Sequence, residues 1–326
     1  MHAGMSEQFT VDVAGHALRI SCHPDASVMR TAFAPIEVPH AHGVSSSLSI
    51  SVAPDPLSEP RFAGLGIGVH RTSDGRNLYA VGSPAHVHVV SRTGRGTAGA
   101  VELELILSPD AATSGDMIAH PAHSAMYAWM ATQGKAAMHA AGVCLGDRGV
   151  LVVGDGGHGK TTTALAACQR GFSYLGDDVC IVEPGAGPGR AHVMHGLYGT
   201  AKLNADSRER LGAGGWPVIG TTPKGKAVVS VTPHLQWARS APVSAIVHVG
   251  HAGTGPAKVG RLSQQDAWKA LARASVPALS VEGTTREWLR TIMSLARDVP
   301  VFGVQLDWDL DWSIAMLERI AMGREP

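Results

Sequence analysis

The sequence predicts an α/β (α+β) protein with a β-rich N-terminal domain over residues 1–115 and a domain over residues 116–326 that carries a phosphate-binding loop. Three observations predict this organisation. Short apolar runs separated by Gly, Pro and Ser clusters fill the first part, which is typical of strands. The stretch 108–116 is rich in turn-forming residues and marks the boundary. A complete phosphate-loop motif at residues 154–161 stands between an apolar strand and a helical pattern.

Composition and charge restrict the classes of protein to which this chain could belong. Because 44% of the 326 residues are hydrophobic, the chain can bury one large core or two moderate ones. The 27 basic and 27 acidic residues give no net field that would attract nucleic acid or a membrane, so we expect neither as partner. Residues 1–16 lack a signal-peptide pattern, and no apolar run approaches membrane-spanning length. The cysteines form no CxxC pair and fit reduced thiols: Cys22, Cys144, Cys168 and Cys180. We therefore expect a soluble, cytoplasmic protein.

Elements before the loop are predicted from periodicity. Apolar residues alternate with Glu102 and Glu104 over residues 101–107, which predicts a strand with one buried face. Residues 124–132 have helical spacing, and their Met and Trp stripe, with Trp129, is typical of core. The stretches 136–145 and 149–153 flank a Gly-Asp-Arg-Gly turn, so we expect two neighbouring strands joined in a hairpin.

Elements after the loop follow the same reasoning. Residues 162–170 predict a helix that leaves the loop and stops at Gly171. The short apolar runs at residues 245–249 and 301–306 predict buried strands. A helix over 284–296 is expected to open at Thr284 or Thr285, with Glu287 in capping range. Its predicted apolar face contains Trp288, Leu289, Ile292, Met293 and Leu295. Asp311 is expected to cap a last helix that turns Ile314, Leu317 and Ile320 inward.

The phosphate loop satisfies G-x-x-x-x-G-K-[ST] in full. Its residues are Gly154, Asp155, Gly156, Gly157, His158, Gly159, Lys160 and Thr161. Its glycines let backbone N–H groups approach phosphate oxygens, and the helix N-terminus adds a favourable dipole. Lys160 supplies a positive charge for the β and γ phosphates, and the Thr161 hydroxyl is placed to coordinate Mg²⁺. Thr162, the first residue of the predicted helix, completes the expected nucleotide contacts. The alternative, a chance match, arises about once per hundred chains of this composition.

An acidic pair and a histidine are the other catalytic candidates. Asp177 and Asp178 follow Lys160 by 17 and 18 positions, at the start of a predicted strand. Such a pair alone is usually a turn, but phosphoryl transfer to an alcohol needs a metal-binding carboxylate and a proton acceptor. His139 lies on the strand before the loop strand, where hairpin pairing brings it beside the loop. A structural histidine is the alternative. Two further histidine pairs lack a third ligand at zinc spacing and receive no metal role: His86 and His88, His120 and His123.

Residues 139–183 resemble the catalytic core of HPr kinase/phosphorylase. The resemblance rests on His139, the phosphate loop, Arg170-Gly171 and the Asp177-Asp178 pair, in the order of that family. It implies a kinase that uses ATP and Mg²⁺, in which Lys160 is catalytic and Asp177 accepts the proton with help from His139. It places Asp178 near metal or phosphate, with Thr161 as the other metal ligand. It also implies a mixed sheet related to that of phosphoenolpyruvate carboxykinase.

Departures from the family pattern indicate a branch of it. Thr162 stands where the family members that act both as kinase and as phosphorylase commonly have Glu. Residues 195–199 match the family's phosphorylase signature only loosely, so reverse phosphorolysis is not expected. The chain is closer to HPr-kinase-like proteins with an unrelated β-rich N-terminal part. That branch, associated with lasso-peptide maturation, implies a serine of a ribosomally made precursor peptide as acceptor. The N-terminal domain would then serve substrate recognition, and a homo-oligomer is an expectation from related kinases.

Other functions stay open at this level. HPr itself or a small-molecule alcohol could be the acceptor, and a carboxykinase-like enzyme would share the motifs. A non-catalytic ATP sensor would keep the loop and use the acidic pair as a turn, although a pure binder needs no proton acceptor. Lys202 and Arg239 are candidate phosphate or substrate contacts because each lies beside a turn after a predicted core element. For each of the two, an exposed charge is the commoner outcome.

Overall fold

The computed structural model of the protein describes residues 6–39, 46–73, 77–83, 85–93, 100–187, 190–251, 256–275, 284–306 and 309–325. The strands are β1 (Glu7–Val13), β2 (His16–Cys22), β3 (Ser46–Val52), β4 (Gly68–Arg71), β5 (Asn77–Ser83), β6 (His86–Thr93), β7 (Ala100–Leu107), β8 (Ala136–Met138), β9 (Ala140–Leu145), β10 (Arg148–Val153), β11 (Ser173–Gly176), β12 (Cys180–Glu183), β13 (Val193–Gly196), β14 (Thr200–Leu203), β15 (Val218–Thr221), β16 (Ala227–Ser230), β17 (Ser240–His251), β18 (Lys258–Arg261) and β19 (Val301–Leu306). The helices are α1 (Arg30–Phe33), α2 (Pro109–Ala112), α3 (Gly115–Ala119), α4 (His123–Thr132), α5 (Lys160–Cys168), α6 (Ala205–Arg210), α7 (Gln264–Ala274), α8 (Thr284–Asp298) and α9 (Leu310–Ala321). No helix within these ranges is long and apolar enough to cross a membrane.

The protein is a mixed α/β structure with two large mixed sheets. In the first sheet the strand order is β1-β2-β3-β7-β6-β5-β4, with β3 parallel to β2 and β7. Along β7 the predicted alternation is confirmed, since Val101, Leu103 and Leu105 are buried in one core cluster. Ile106 is also buried, in a separate cluster with Phe62. The second face of β7 is therefore covered at Ile106, while Glu102 on the same face is exposed.

The second sheet delivers the phosphate loop. Its order is β11-β9-β10-β17-β13-β12-β8, and β19 adds to β17 and β18 to β19. The predicted hairpin is confirmed, because β9 and β10 pair antiparallel from Arg148↔Leu145 to Val153↔Ala140. On its other side β10 pairs in parallel with β17, which pairs in parallel with β19. The loop thus leaves the end of β10 beside two parallel neighbours.

Helices cover both faces of this sheet. Val150 and Val152 point into a cluster with Leu165 of α5 and Leu317 of α9. Leu151 and Val153 point the other way, into a cluster with α7 and α8 residues such as Leu271 and Leu295. The period of two in the β10 sequence therefore produces a three-layer arrangement. The strands β14, β16 and β15 form, in that order, a third and separate sheet.

The first core cluster spans position 115. It joins Phe33 and Leu105 to Trp129 and Tyr198. Trp129 is 1% exposed, so the Met and Trp stripe of α4 is core, as predicted. The turn-rich stretch 108–116 contains α2 and the start of α3. Because buried side chains from both sides of residue 115 share this cluster, the division into domains at that position stays a prediction.

Three local predictions are corrected. The stretch 136–145 is two strands, β8 and β9, since β8 pairs with β12 while β9 pairs with β10 and β11. On α8, Leu289 and Met293 are exposed, because the helix turns Ile292, Leu295 and Ala296 into the core cluster beneath it, with Trp288 packed against that cluster. The last helix is capped by Asp309, whose side chain accepts from Trp312 N at 2.9 Å.

Asp311 has another partner, since it accepts a hydrogen bond from Arg170 at 2.7 Å. The helix α8 begins at Thr284, as predicted. The predicted capping side chains of Thr284 and Thr285 lie outside the described residues.

Candidate nucleotide and phosphoryl-transfer site

The phosphate loop begins where β10 and β17 run closest together. Gly154 has φ +150°, and a Cβ there would lie 2.5 Å from the carbonyl oxygen of Val249 on β17. No side chain fits that gap, so this glycine is required by packing. Gly157 and Gly159 have φ of +87° and +92°. A Cβ at Gly156 or Gly157 would meet nothing within 4 Å, so the tip of the loop borders open space.

Lys160 lies folded into the loop. It is 5% exposed, and its ammonium donates to the carbonyl oxygens of Gly154 at 2.9 Å and Asp155 at 3.1 Å. Burial lowers the pKa of this ammonium, and the charges of Asp177 and Asp178 partly offset the effect. Its positive charge is therefore held against the backbone of the loop that would bind a phosphate.

Asp177 is the buried member of the acidic pair. It is 1% exposed, and its Oδ1 accepts a hydrogen bond from Thr161 Oγ1 at 2.7 Å. Its other oxygen, Oδ2, is buried without a partner. Burial raises the pKa of this carboxyl to about 7, and the neighbouring Asp178 charge adds to the shift, against the Thr161 hydrogen bond. An orphaned carboxylate oxygen beside a hydroxyl is a donor set that fits Mg²⁺.

The protein would supply only part of the coordination of that ion. Within the described ranges, no group of three or more His, Cys, Asp or Glu side chains is arranged to hold a metal. In phosphoryl-transfer sites, one or two protein oxygens, substrate phosphates and water commonly share Mg²⁺. Thr161 and Asp177 are the two protein oxygen donors that the geometry brings together.

Asp178, unlike Asp177, borders open space. Its φ of +60° is unusual for a residue with a side chain. Lys202 Nζ lies 2.8 Å from its Oδ2, and His139 Nδ1 lies 3.9 Å from its Oδ1 and 3.1 Å from its carbonyl oxygen. Although burial raises the pKa of Asp178, the charges of Lys202 and His120 lower it well below its usual range. Asp178 is therefore an ionised carboxylate beside two cation-forming groups.

One cavity of about 360 Å³ connects these groups. Six loop and helix residues line it, from Gly156 to Thr162, together with His139, Asp178 and Lys202. The wall also contains Leu306, Leu310 and Ser313, and a Cβ at Gly159 would lie 3.1 Å from Leu306. The cavity wall thus combines leucine side chains that suit a nucleotide base with charged residues such as Asp178.

Not every predicted contact faces this cavity. Asp155 and Gly154 line a second cavity of about 100 Å³, with His248 and Arg273, while His158 lines neither. Thr162 lines the larger cavity and hydrogen-bonds Ser207 Oγ at 2.8 Å. Arg239 lies elsewhere, where it donates to the carbonyl of Glu37 at 3.3 Å.

The histidine pairs without a predicted metal role pack together. The His88 ring lies 5.4 Å from that of His86 and 5.0 Å from that of His123, between ring centroids. Both His88 ring nitrogens are buried without a partner, and burial lowers the pKa of His88. His120 packs against Tyr198, with centroids 5.2 Å apart. All four are therefore packed among other rings.

Sequence reasoning missed five charged residues that line the main cavity. Asp116 lies on α3, Asp206 and Arg210 lie on α6, and Lys224 and Lys226 flank Gly225 in the turn between β15 and β16. The available signal was the Lys-Gly-Lys pattern, since Lys224 and Lys226 are closer along the chain than any other two lysines. It was overlooked because two lysines do not make a basic run.

Comparisons with known proteins find likeness at the level of structure only. No protein-family model matches the sequence, and no curated protein matches it. Among solved structures, the chain is similar to the Hpr(Ser) kinase/phosphatase from Coxiella burnetii, at 12% sequence identity and a TM-score of 0.30. That alignment covers 57% of this chain and 98% of the other.

Proposed function

We propose that this protein is a phosphotransferase that moves the γ-phosphoryl group of ATP to a hydroxyl acceptor, with Mg²⁺ as cofactor. One observation carries the proposal: the phosphate loop and two carboxylates in contrasting environments lie together, with Asp178 on the wall of the main cavity and Asp177 buried against Thr161, which also lines that cavity. A nucleotide binder without chemistry can use one carboxylate for the metal but needs no proton acceptor. Phosphoryl transfer needs two such groups, one near the metal and one near the acceptor.

The geometry favours a definite division of roles. Asp177, buried on the Thr161 hydroxyl, would hold Mg²⁺, which when bound neutralises charge on the β and γ phosphates. Asp178, on the cavity wall, would accept the proton of the acceptor hydroxyl. At the same time the hydroxyl oxygen bonds to the γ phosphorus, and the bond between the γ phosphorus and the β–γ bridging oxygen breaks. His139 orients Asp178 through its backbone carbonyl. This order is the reverse of the one that the family resemblance implies, in which Asp177 accepts the proton.

The acceptor is a finer proposal. The resemblance of residues 139–183 to HPr kinase supports a serine hydroxyl of a peptide or small protein, such as a ribosomally made precursor peptide. HPr and small-molecule alcohols are the competing acceptors. The part of the main cavity wall where Asp178 lies beside Lys202 provides the place at which any of these hydroxyls would be presented to the γ phosphate.

The test is phosphate transfer from radiolabelled ATP. The purified protein would be incubated with Mg²⁺ and three acceptor classes: serine peptides including precursor peptides, HPr, and a set of small alcohols. We expect a phosphomonoester product and ADP in equal amounts with one class. Tight ATP binding with no transfer to any class and no hydrolysis would refute the kinase proposal and support a nucleotide sensor.

The pH dependence of Mg²⁺ binding should report on Asp177. Burial raises its pKa to about 7, so below that pH a bound proton must leave before the carboxylate binds the metal. We expect the apparent Mg²⁺ affinity of the nucleotide complex to fall about tenfold per pH unit below pH 7 and to level off above it. Titrations of Mg²⁺ at several pH values, with a fluorescent nucleotide, measure this slope.

Asp177→Asn is the control for that titration. The variant keeps the shape of the side chain and has no proton to release, so its slope retains only the protonation of the nucleotide itself. The difference between the two slopes isolates Asp177. Equal slopes would show that its proton is not displaced by the metal.

Lys202→Met should change the pH profile of transfer. In the native protein the Lys202 charge lowers the pKa of Asp178, so the carboxylate stays ionised in mild acid. Loss of the charge raises that pKa, and the fraction of ionised base then falls as the pH is lowered. We expect the acid limb of kcat, at saturating ATP and Mg²⁺, to move to higher pH. Lys202→Arg, which preserves the charge, should leave the limb in place.

A further inference from the structure

Two lysines at the main cavity have no ion-pair partner among the residues that the structure describes. Lys224 and Lys226 belong to the lysine turn, residues 222–226, which connects β15 and β16. Three hydrogen bonds close this turn: Thr222 N to Lys226 O at 2.8 Å, Gly225 N to Thr222 O at 2.8 Å, and Lys226 N to Thr222 Oγ1 at 3.1 Å. The two lysines therefore extend from a well-defined base.

The turn is packed tightly against α3. A Cβ on Gly115 would lie 2.4 Å from the carbonyl carbon of Thr221 and 2.6 Å from Thr222 N, so backbone meets backbone there. The next residue, Asp116, lines the cavity and lies 3.4 Å from Lys202 Nζ. In the three-stranded sheet, Lys202 of β14 is the register partner of Val228 on β16, which begins just after the turn. These contacts place the lysine turn on the Asp178 side of the cavity.

The other charges of the cavity wall are matched. Lys202 contacts Asp178 and Asp116, and Arg210 contacts Asp206 at 2.9 Å. The triphosphate would be served by the loop amides, the start of α5, Lys160 and Mg²⁺. Lys226 is close enough to lower the pKa of Lys160, which adds to the effect of burial. Two positive charges are therefore left over on the side of the cavity wall that contains Asp178.

We infer that Lys224 and Lys226 bind an anionic group of the acceptor, a carboxylate or a phosphate close to the hydroxyl that receives the γ phosphate. The inference rests on the proposed function and specifies its substrate class, since neutral alcohols and neutral serine peptides would leave the lysine turn without a ligand. An anion there also offsets the repulsion that two lysines and Lys160 impose on one another.

The test compares matched acceptors. The pairs are a Ser-Asp and a Ser-Asn peptide, a serine peptide with a C-terminal carboxylate and its amide, glycerate and glycerol, and glycerol phosphate and glycerol. They separate carboxylate from phosphate and peptide from small molecule. In the native protein, kcat/KM for the anionic member of one pair should exceed that of the neutral member at least about tenfold. Equal use of both members in all pairs would overturn the inference.

The double variant Lys224→Gln/Lys226→Gln should remove that preference. We expect its ratio of anionic to neutral kcat/KM to fall about tenfold or more, while the Kd of a fluorescent ATP analogue with Mg²⁺ stays within about threefold. The matched control is Lys258→Gln/Lys269→Gln, which removes the same charge from residues that do not line the cavity. Weakened nucleotide binding in the first variant alone would assign the lysines to ATP instead.

A binding measurement separates this inference from the kinase proposal. With a non-hydrolysable ATP analogue and Mg²⁺ bound, the anionic member should raise the melting temperature more than the neutral one, and the double variant should lose the difference. If that difference is present but no acceptor is phosphorylated, the kinase proposal fails and the anion site stands. If no pair shows it, the anion site is refuted.

A backbone variant tests the position of the turn without removing charge. Gly115→Ala forces the turn away from α3, so the anionic preference should fall while nucleotide affinity stays unchanged. Gly214→Ala is the control, because a Cβ there meets nothing within 4 Å. A full preference in Gly115→Ala would show that the turn need not be held by α3.

Discussion

Asp178→Asn is expected to slow phosphoryl transfer about 10²–10⁴-fold, the usual contribution of a general base. The side chain lines the cavity, lies 2.8 Å from Lys202 Nζ and has the open space in front of it. Asparagine preserves its shape but cannot accept the proton of an alcohol. Because Asp178 does not touch the Thr161 hydroxyl, the affinity for ATP and Mg²⁺ should change no more than about threefold. Single-turnover transfer assays and nucleotide titrations measure the two quantities.

Asp177→Asn provides the contrast that makes this prediction specific. Its carboxylate is the partner of Thr161, so the variant should need far more Mg²⁺ for half-maximal transfer, and excess Mg²⁺ should restore part of the rate. No concentration of Mg²⁺ should restore Asp178→Asn. The reverse pattern, with rescue of Asp178→Asn alone, would return the proton acceptor to Asp177, the role that the family resemblance implies for it.

The sequence predicts those parts of the site that are set by neighbouring residues. The phosphate loop, its strand and its helix lie within about twenty residues of one another, and turn composition alone indicates the β9–β10 hairpin. The division of roles between Asp177 and Asp178 is different. It depends on the positive φ of Asp178 and on the position of Lys202, which a tertiary arrangement decides.

The lysine turn shows the same limit more strongly. It reaches the cavity only because β14 pairs with β16 and because Gly115 lets α3 approach the backbone of Thr221. Neither contact has a local sequence signal, since the three segments are far apart in the chain. Likewise, the helical spacing of apolar residues along α8 predicts an apolar face but does not reveal that Leu289 and Met293 remain exposed. Patterns predict which faces are apolar, and packing decides how much of each face is covered.

Lys160→Met is expected to slow transfer about 10²–10³-fold, as does the loss of a single preorganised donor at a site of developing charge. The same change should leave the free energy of unfolding of the nucleotide-free protein within about 1 kcal/mol of the native value. The reason is that Lys160 is 5% exposed and that, among the described residues, its ammonium hydrogen-bonds only two backbone carbonyls of the loop. Its burial is unfavourable without a phosphate, which the lowered pKa of Lys160 reflects. Transfer assays and chemical denaturation measure the two effects.

A second buried lysine gives the matched control, because its surroundings are complete without a ligand. Lys135 is 8% exposed, and its ammonium donates to the carbonyl of Ala14 at 2.7 Å and to Glu183 at 2.6 Å. Lys135→Met should therefore lower the free energy of unfolding by about 1–3 kcal/mol, since Ala14 and Glu183 lose a donor, and should leave nucleotide affinity unchanged. If both variants lost stability equally and both kept transfer, Lys160 would be a structural lysine like Lys135. The expected result is that Lys160→Met loses transfer but keeps stability, whereas Lys135→Met loses stability but keeps nucleotide affinity. That result would show that the unfavourable burial of Lys160 is offset only when a phosphate enters the loop.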